Sequence, residues 1–300
     1  MVEKTGGILY RAAGNRIYYE RDGGPMAQTL SRTRVAVLGA GKIGGILLQG
    51  FIKHHLISRD HAVATVQHAE RGRALSREWK LAVTTDNVAA ARQADVILIA
   101  VKPLVVAEVA AEIRAVVDPH KLVISVAASV PTSSIERVFN SDVPVIRAMP
   151  NTPSVVGAGM TALCKGRYAT ARHIEAASAL FESVGRTVVV DEKHMDAVTG
   201  LSASGPAFIY IILESLAEAG VKVGLPRETA TLLAAQTALG AAKVVLDTGH
   251  HPALLKDAVT TPAGCTIDGI LELEEGKLRV TLIKAVVKAA QRARELANPD

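Results

Sequence analysis

Aromatic side chains are scarce in this 300-residue chain, at 3% of residues with a single tryptophan. A core of normal density must then be built from small aliphatic side chains at close helix and strand contacts, which favours an α/β protein with much helix. Cysteine is nearly missing too. Cys164 and Cys265 lie far apart without metal-ligand spacing, which argues against a disulfide framework and against a zinc site. His250-His251 before Pro252 reads as a surface turn, so no metal is expected. No apolar run reaches the roughly 18 to 20 residues of a membrane span. The N-terminus lacks the basic-then-apolar layout of a secretory signal. A cytoplasmic protein with no membrane partner is expected. Net charge is +5, but Lys and Arg are scattered among Asp and Glu. With neither a basic helix nor an aromatic-and-basic sheet pattern, nucleic acid is not expected as a partner, and a mild attraction for small anions remains.

What is present is aliphatic: 49% of residues are hydrophobic, rich in Ala, Val, Leu and Gly. Residues 1–32 mix Gly, Arg and Tyr without period and read as a loose extension, with Met26 a candidate alternative start. From Arg34, strand-like runs alternate with helix-like stretches: Val35 to Leu38, Ala62 to Val66, Val96 to Ile99, Leu122 to Ser125 and Val143 to Ala148. Continuous apolar runs separated by helices mark buried parallel strands, hence an N-terminal Rossmann-like doubly wound domain over 33–191. After Val188-Val189-Val190 the pattern turns helical, with starts near Ser204, Pro226, His251 and Gly276. This all-α domain, 192–300, has more apolar surface than its few helices can cover. It is expected to pair with a second copy, giving a homodimer or larger homo-oligomer.

The first strand runs into Gly39-Ala40-Gly41-Lys42-Ile43-Gly44, a G-x-G-x-x-G between strand and helix. Gly39 permits the tight turn, Gly41 lets backbone approach a pyrophosphate, and Gly44 allows close helix packing. At the end of the second strand, Gln67-His68 stand where an NAD enzyme places an acid on the ribose, while Arg71 and Arg73 flank Glu70. That favours NADPH, with NADH as the alternative. Ala100-Val101-Lys102-Pro103 follows a strand at its carboxyl end, where ligands bind in open α/β sheets. Asn151, held between Pro150 and Pro153, sits in a rigid loop suited to a carboxamide or a substrate hydrogen bond. Two small-residue segments open helices in the second half, Gly200 to Ala207 and Asp257 to Thr266. Each can offer backbone N–H groups to a carboxylate, or use Ser204 or Thr266 simply as a helix cap.

With these motifs in this order, the chain from about Val35 to Leu296 resembles pyrroline-5-carboxylate reductase. The carriers are the Gly-rich turn, Ala-Val-Lys-Pro, Arg147-Ala-Met-Pro-Asn-Thr-Pro, Ser-x-Ser-Gly-Pro-Ala from Ser202, and Thr-Pro-x-Gly-x-Thr from Thr261. The resemblance implies reduction of Δ1-pyrroline-5-carboxylate, a cyclic imine carboxylate, to proline. It puts cofactor contacts on Gly39 to Gly44, Asn87, Ala100 to Pro103 and Val126-Ala127-Ala128. Substrate contacts fall on Glu192, Cys265 and Thr266, with Ala263 and Gly264 in the carboxylate loop and Thr266 as the catalytic-site hydroxyl. The family usually has Gly where Ala203 and Ala263 stand. A methyl group at 263 opposes a left-handed backbone, so either the loop accommodates it or the substrate differs. Reduction of another cyclic imino acid or a small hydroxy acid, or an inactive cofactor-binding relative, are the alternative readings.

Overall fold

A computed structural model describes residues 33–139 and 141–297; the expected extension over 1–32 lies outside them. Eight strands form one sheet in the order β3-β2-β1-β4-β5-β6-β7-β8. They are β1 (Val35–Leu38), β2 (Ala62–Thr65), β3 (Ala82–Thr84), β4 (Val96–Ile99), β5 (Leu122–Ser125), β6 (Val145–Met149), β7 (Gly159–Lys165) and β8 (Gly185–Val189). All neighbours pair parallel except β6 and β7, which run antiparallel. Every residue of β1, β4, β5 and β6 is buried, because helices cover both faces of a parallel sheet. Successive strand residues alternate between those faces. Val35 and Val37 join one core with Leu47, Leu48 and Phe51 of α1 (Lys42–Lys53) and Leu180 and Phe181 of α6 (Ala171–Glu182). Ala36 and Leu38 join the other, with Ala90 and Ala91 of α3 (Asn87–Gln93) and Val109, Ala110 and Ile113 of α4 (Val106–Ile113). Aromatic scarcity shows in the contacts: the Phe51–Phe181 edge-to-face pair, 5.8 Å between centroids, joins α1 to α6. The ring of Trp79, last residue of α2 (Ala69–Trp79), lies over Gly45, 3.1 Å from where a Cβ would stand.

The strand order reverses between β1 and β4, which leaves a crevice outside their carboxyl ends. Two strands depart from the sequence expectation. β3 has only three residues, and β7 carries Thr and Cys amid its apolar side chains, so neither forms a continuous β-branched run.

The remaining helices are α5 (Thr132–Glu136), α7 (Met195–Val198), α8 (Gly205–Lys222), α9 (Arg227–Thr248), α10 (Pro252–Ala258), α11 (Cys265–Glu275) and α12 (Leu278–Ala297). Two compact units divide at Pro206, and residues from Lys284 onward return to the sheet-bearing unit. This contact division falls after the boundary drawn at 191 from the sequence pattern. Met195 is fully buried beside Met149, Ala162 and Cys164, and the second half of α12 meets Gly200, where a Cβ would stand 2.7 Å from the Ala290 nitrogen. The stretch 192–206 therefore packs with the sheet. A second departure concerns length: Glu192–Lys222 and Arg227–Thr248 are each long and apolar enough to cross a membrane by length and composition. Glu214 and Glu218 interrupt the first of these stretches, so its apolar length is not a continuous run in the sequence.

Candidate functional site

The Gly-rich turn leaves β1 and enters α1 with each glycine under a different constraint. Gly39 has φ +95°, and a Cβ there would stand 2.7 Å from Val101 Cγ1 and 2.9 Å from the Ala100 carbonyl oxygen. At Gly44 a Cβ would strike the Gly39 carbonyl oxygen and Ala100. Gly41 caps α1, and around its missing Cβ there is nothing within 4 Å. Gly41 thus leaves the N-terminus of α1 uncrowded, where helix N–H donors and dipole favour an anion. Thr65 of β2 braces the turn by accepting from Gly39 N at 3.1 Å and, through its carbonyl, from Ala40 N at 2.7 Å. The residues fit a pyrophosphate.

Around this turn the sheet's carboxyl edge collects the other cofactor candidates. Gln67 and His68 are exposed beyond β2, His68 as N-cap of α2, and Arg71 and Arg73 are exposed on the first turns of that helix. No acid stands at the end of β2. Asn87 opens α3, where Asp86 caps by accepting from Ala89 N, and its amide donates to Glu112 of α4 at 2.7 Å. Ala100 and Val101 are half-buried after β4, while Lys102 and Pro103 are exposed. After β5 come Val126, Ala127 and Ala128, then buried Ser129 in a left-handed conformation at φ +63°. Asn151 differs from its expected use, because both ends of its amide are engaged within the protein. Its Oδ1 accepts from Met160 N at 2.9 Å, and its Nδ2 donates to the Ser202 carbonyl at 3.1 Å. It ties the end of β6 to a π-helical turn over Thr199–Ala203.

Glu192 is likewise occupied. One carboxylate oxygen accepts from Thr132 N at 2.7 Å and the other from Thr132 Oγ1 at 2.8 Å. Behind it lies Arg147 of β6, only 2% exposed, 3.7 Å from Glu192 and 3.7 Å from Asp196. Its Nε and Nη2 have no hydrogen-bond partner among the described residues, and both carboxylates stand at 3.7 Å, beyond a direct hydrogen bond. Burial first and the Glu192 carboxylate second push the nearby Cys164 thiol up to about 12, against a smaller opposing pull from Arg147. Arg147 opens the Arg-Ala-Met-Pro-Asn-Thr-Pro motif, but its partners lie 45 and 49 positions away, and Thr132 belongs to no motif. No local pattern reveals that grouping.

In the helical unit, Ala263 adopts φ +55°, so the loop takes a left-handed backbone despite the methyl group. Gly264 is the N-cap of α11, and Cys265 and Thr266 are its first two residues, both exposed. Thr266 is therefore not the cap. Ser204 also departs from the capping role: its hydroxyl donates to the Thr199 carbonyl at 3.0 Å and closes the π-helical turn. Among the described residues no group of three His, Cys, Asp or Glu side chains is placed to hold a metal ion.

Comparison with known proteins points one way. Residues 192–296 match the family model described as pyrroline-5-carboxylate reductase dimerisation, and residues 34–129 match one described as NADP oxidoreductase coenzyme F420-dependent. A pyrroline-5-carboxylate reductase of Methanosarcina acetivorans is 40% identical over 269 residues, covering 90% of this chain and 100% of that relative. One from Arabidopsis thaliana is 39% identical, covering 88% and 96%. Among solved structures, the Coxiella burnetii pyrroline-5-carboxylate reductase superposes with a TM-score of 0.82 at 34% identity, covering 89% of this chain and 99% of that one. The Plasmodium falciparum pyrroline carboxylate reductase, solved with NADP bound, gives 0.81 at 28% identity, covering 90% and 100%. A Gly-rich turn open to a pyrophosphate and full-length similarity of this order leave one assignment: the chain belongs to the pyrroline-5-carboxylate reductase family.

Proposed function

We propose that this protein reduces Δ1-pyrroline-5-carboxylate to proline with NADPH. The observation that carries the reading is 40% identity to a pyrroline-5-carboxylate reductase over that relative's whole length. The open space at Gly41 and the exposed Arg71 and Arg73, with no acid at the end of β2, support a dinucleotide bearing a 2′-phosphate. The bound dihydronicotinamide would supply the hydride that adds to the imine carbon.

The chain's own groups then bind and orient. N–H groups of the first turn of α11, preceded by Ala263 and Gly264, face outward at the positive end of an eleven-residue helix and suit the substrate carboxylate. The exposed Thr266 hydroxyl, free of a capping role, suits a hydrogen bond to the ring nitrogen, which positions an iminium that arrives protonated. Cys265 serves here as a small neighbour rather than a nucleophile. Dimerisation through 192–296, in a cytoplasmic homodimer or larger homo-oligomer, belongs to the same proposal and is supported by the exposed leucines of α9 and α11, Leu232, Leu233, Leu239, Leu246, Leu271 and Leu273.

The test is a comparison of NADPH and NADH oxidation with pyrroline-5-carboxylate and with its six-membered analogue. NADPH with the five-membered ring is expected to give the highest kcat/KM. A preference for the six-membered ring would replace the substrate, and turnover of neither would make the chain an inactive relative.

A further inference from the structure

The loop from Val126 to Pro131 carries three of the assigned cofactor contacts, yet it begins with almost no structure of its own. It leaves β5, passes through Ser129 at φ +63°, and enters α5, a helix of only five residues. Ser129 is 4% exposed, and its hydroxyl has no hydrogen-bond partner among the described residues. A non-glycine residue in the left-handed region and a buried unpaired hydroxyl are both unfavourable. Such a loop holds its shape only if something outside it over-determines that shape.

We infer that Arg147, acting through Glu192 on Thr132, is the positioning residue that holds this cofactor loop. Thr132 is the first residue after the loop, 3% exposed, and Glu192 grips it twice, through its backbone N–H and its hydroxyl. Arg147 adds a third point of attachment, its Nη1 lying 3.7 Å from Glu192 Oε1, the oxygen that also accepts from Thr132 N. Arg147 itself is anchored on β6, whose register with β5 is set by the Ser125–Arg147 pair. The same sheet therefore fixes both the start of the loop, after Ser125, and the brace at its end. Asp196, 3.7 Å from Arg147 and 4.0 Å from Arg294 of α12, balances the guanidinium so that Glu192 is not its sole counter-charge. In this arrangement Glu192 acts on the cofactor side and touches the protein rather than the imine. The inference rests on the assignment of Val126 to Ala128 to cofactor binding.

Thr132→Val removes one of the two grips with little change of shape, and Glu192→Gln removes the charge that Arg147 attracts. Each is expected to weaken calorimetric NADPH affinity about tenfold, the scale of one lost hydrogen bond, and to raise KM for NADPH more than KM for the imine. The double variant is expected to be no weaker than the weaker single one, since both changes break one chain of contacts. Arg147→Lys, which keeps the charge but loses the planar fork, falls between wild type and Glu192→Gln. Hydrogen exchange at the amides of 126–132 gives a readout that needs no ligand, and faster exchange is expected in all three single variants. A raised imine KM in Glu192→Gln with unchanged NADPH affinity overturns the inference, and so does unchanged exchange in Thr132→Val. A wild-type enzyme that fails to turn over pyrroline-5-carboxylate overturns the proposed function instead, and the exchange result still decides the brace.

Discussion

Ala263 holds φ +55° in the loop that opens α11, a conformation that costs an L-residue with a Cβ roughly 1 to 2 kcal/mol. Ala263→Gly is therefore expected to raise stability by about 1 kcal/mol, or Tm by roughly 2 to 4 °C. If the methyl group also crowds the substrate carboxylate, KM for pyrroline-5-carboxylate falls in the same variant, so melting and kinetics separate the two effects. Thr266 allows a sharper version of that separation. Because the cap is Gly264, Thr266→Val is expected to leave the melting temperature within a degree or so and to lower kcat/KM by about 10- to 100-fold, as for one lost hydrogen bond to a charged group. A fall in Tm with unchanged kinetics would refute the assigned role. The sequence displayed both residues plainly, since a motif gives their identity and order. It did not display what Asn151 and Glu192 do, because a side chain's partners 51 and 60 positions away are set by tertiary packing rather than by spacing.

Among the elements, α6 begins on a capping box in which Thr170 N donates to the ring nitrogen Nδ1 of His173 at 3.0 Å. That nitrogen accepts only when the ring is neutral, and partial burial, with Arg172 adding to it, holds the His173 pKa below its ordinary value of 6.5. The unfolded chain thus takes up the proton more readily than the native one, so this contribution is fully present above about pH 6.5 and is lost as pH falls below it. A Tm that drops from pH 7 to pH 5.5 in the wild type, and drops less in His173→Gln, is the expected result. The π-helical turn offers a steric test. A Cβ at Gly200 would stand within 3 Å of Val286 and Ala290, so Gly200→Ala must push α12 off the turn and is expected to cost about 1 to 3 kcal/mol. The five buried strands of the doubly wound pattern were legible as apolar runs, whereas β7 is a strand because β6 and β8 flank it. Its Gly159, Ala162 and Lys165 argue against a strand when read alone.

At the level of the whole molecule, the helical unit exposes a quantity of leucine that a monomer in water seldom tolerates, including Leu232 at 68% and Leu254 at 64%. Light scattering at micromolar concentration is expected to give at least a dimer, and a monomer would remove dimerisation from the proposed function. The scarcity of aromatics has a practical side as well. Trp79 is the only indole in the chain, and it rests on Gly45, one turn along α1 from Gly41 and Lys42 of the Gly-rich turn. The protein therefore carries a single tryptophan fluorophore, beside its Gly-rich turn. Its emission overlaps the absorption of reduced nicotinamide, so arrival of the dinucleotide can be followed as energy transfer from one known position, without a label and without a second tryptophan to subtract.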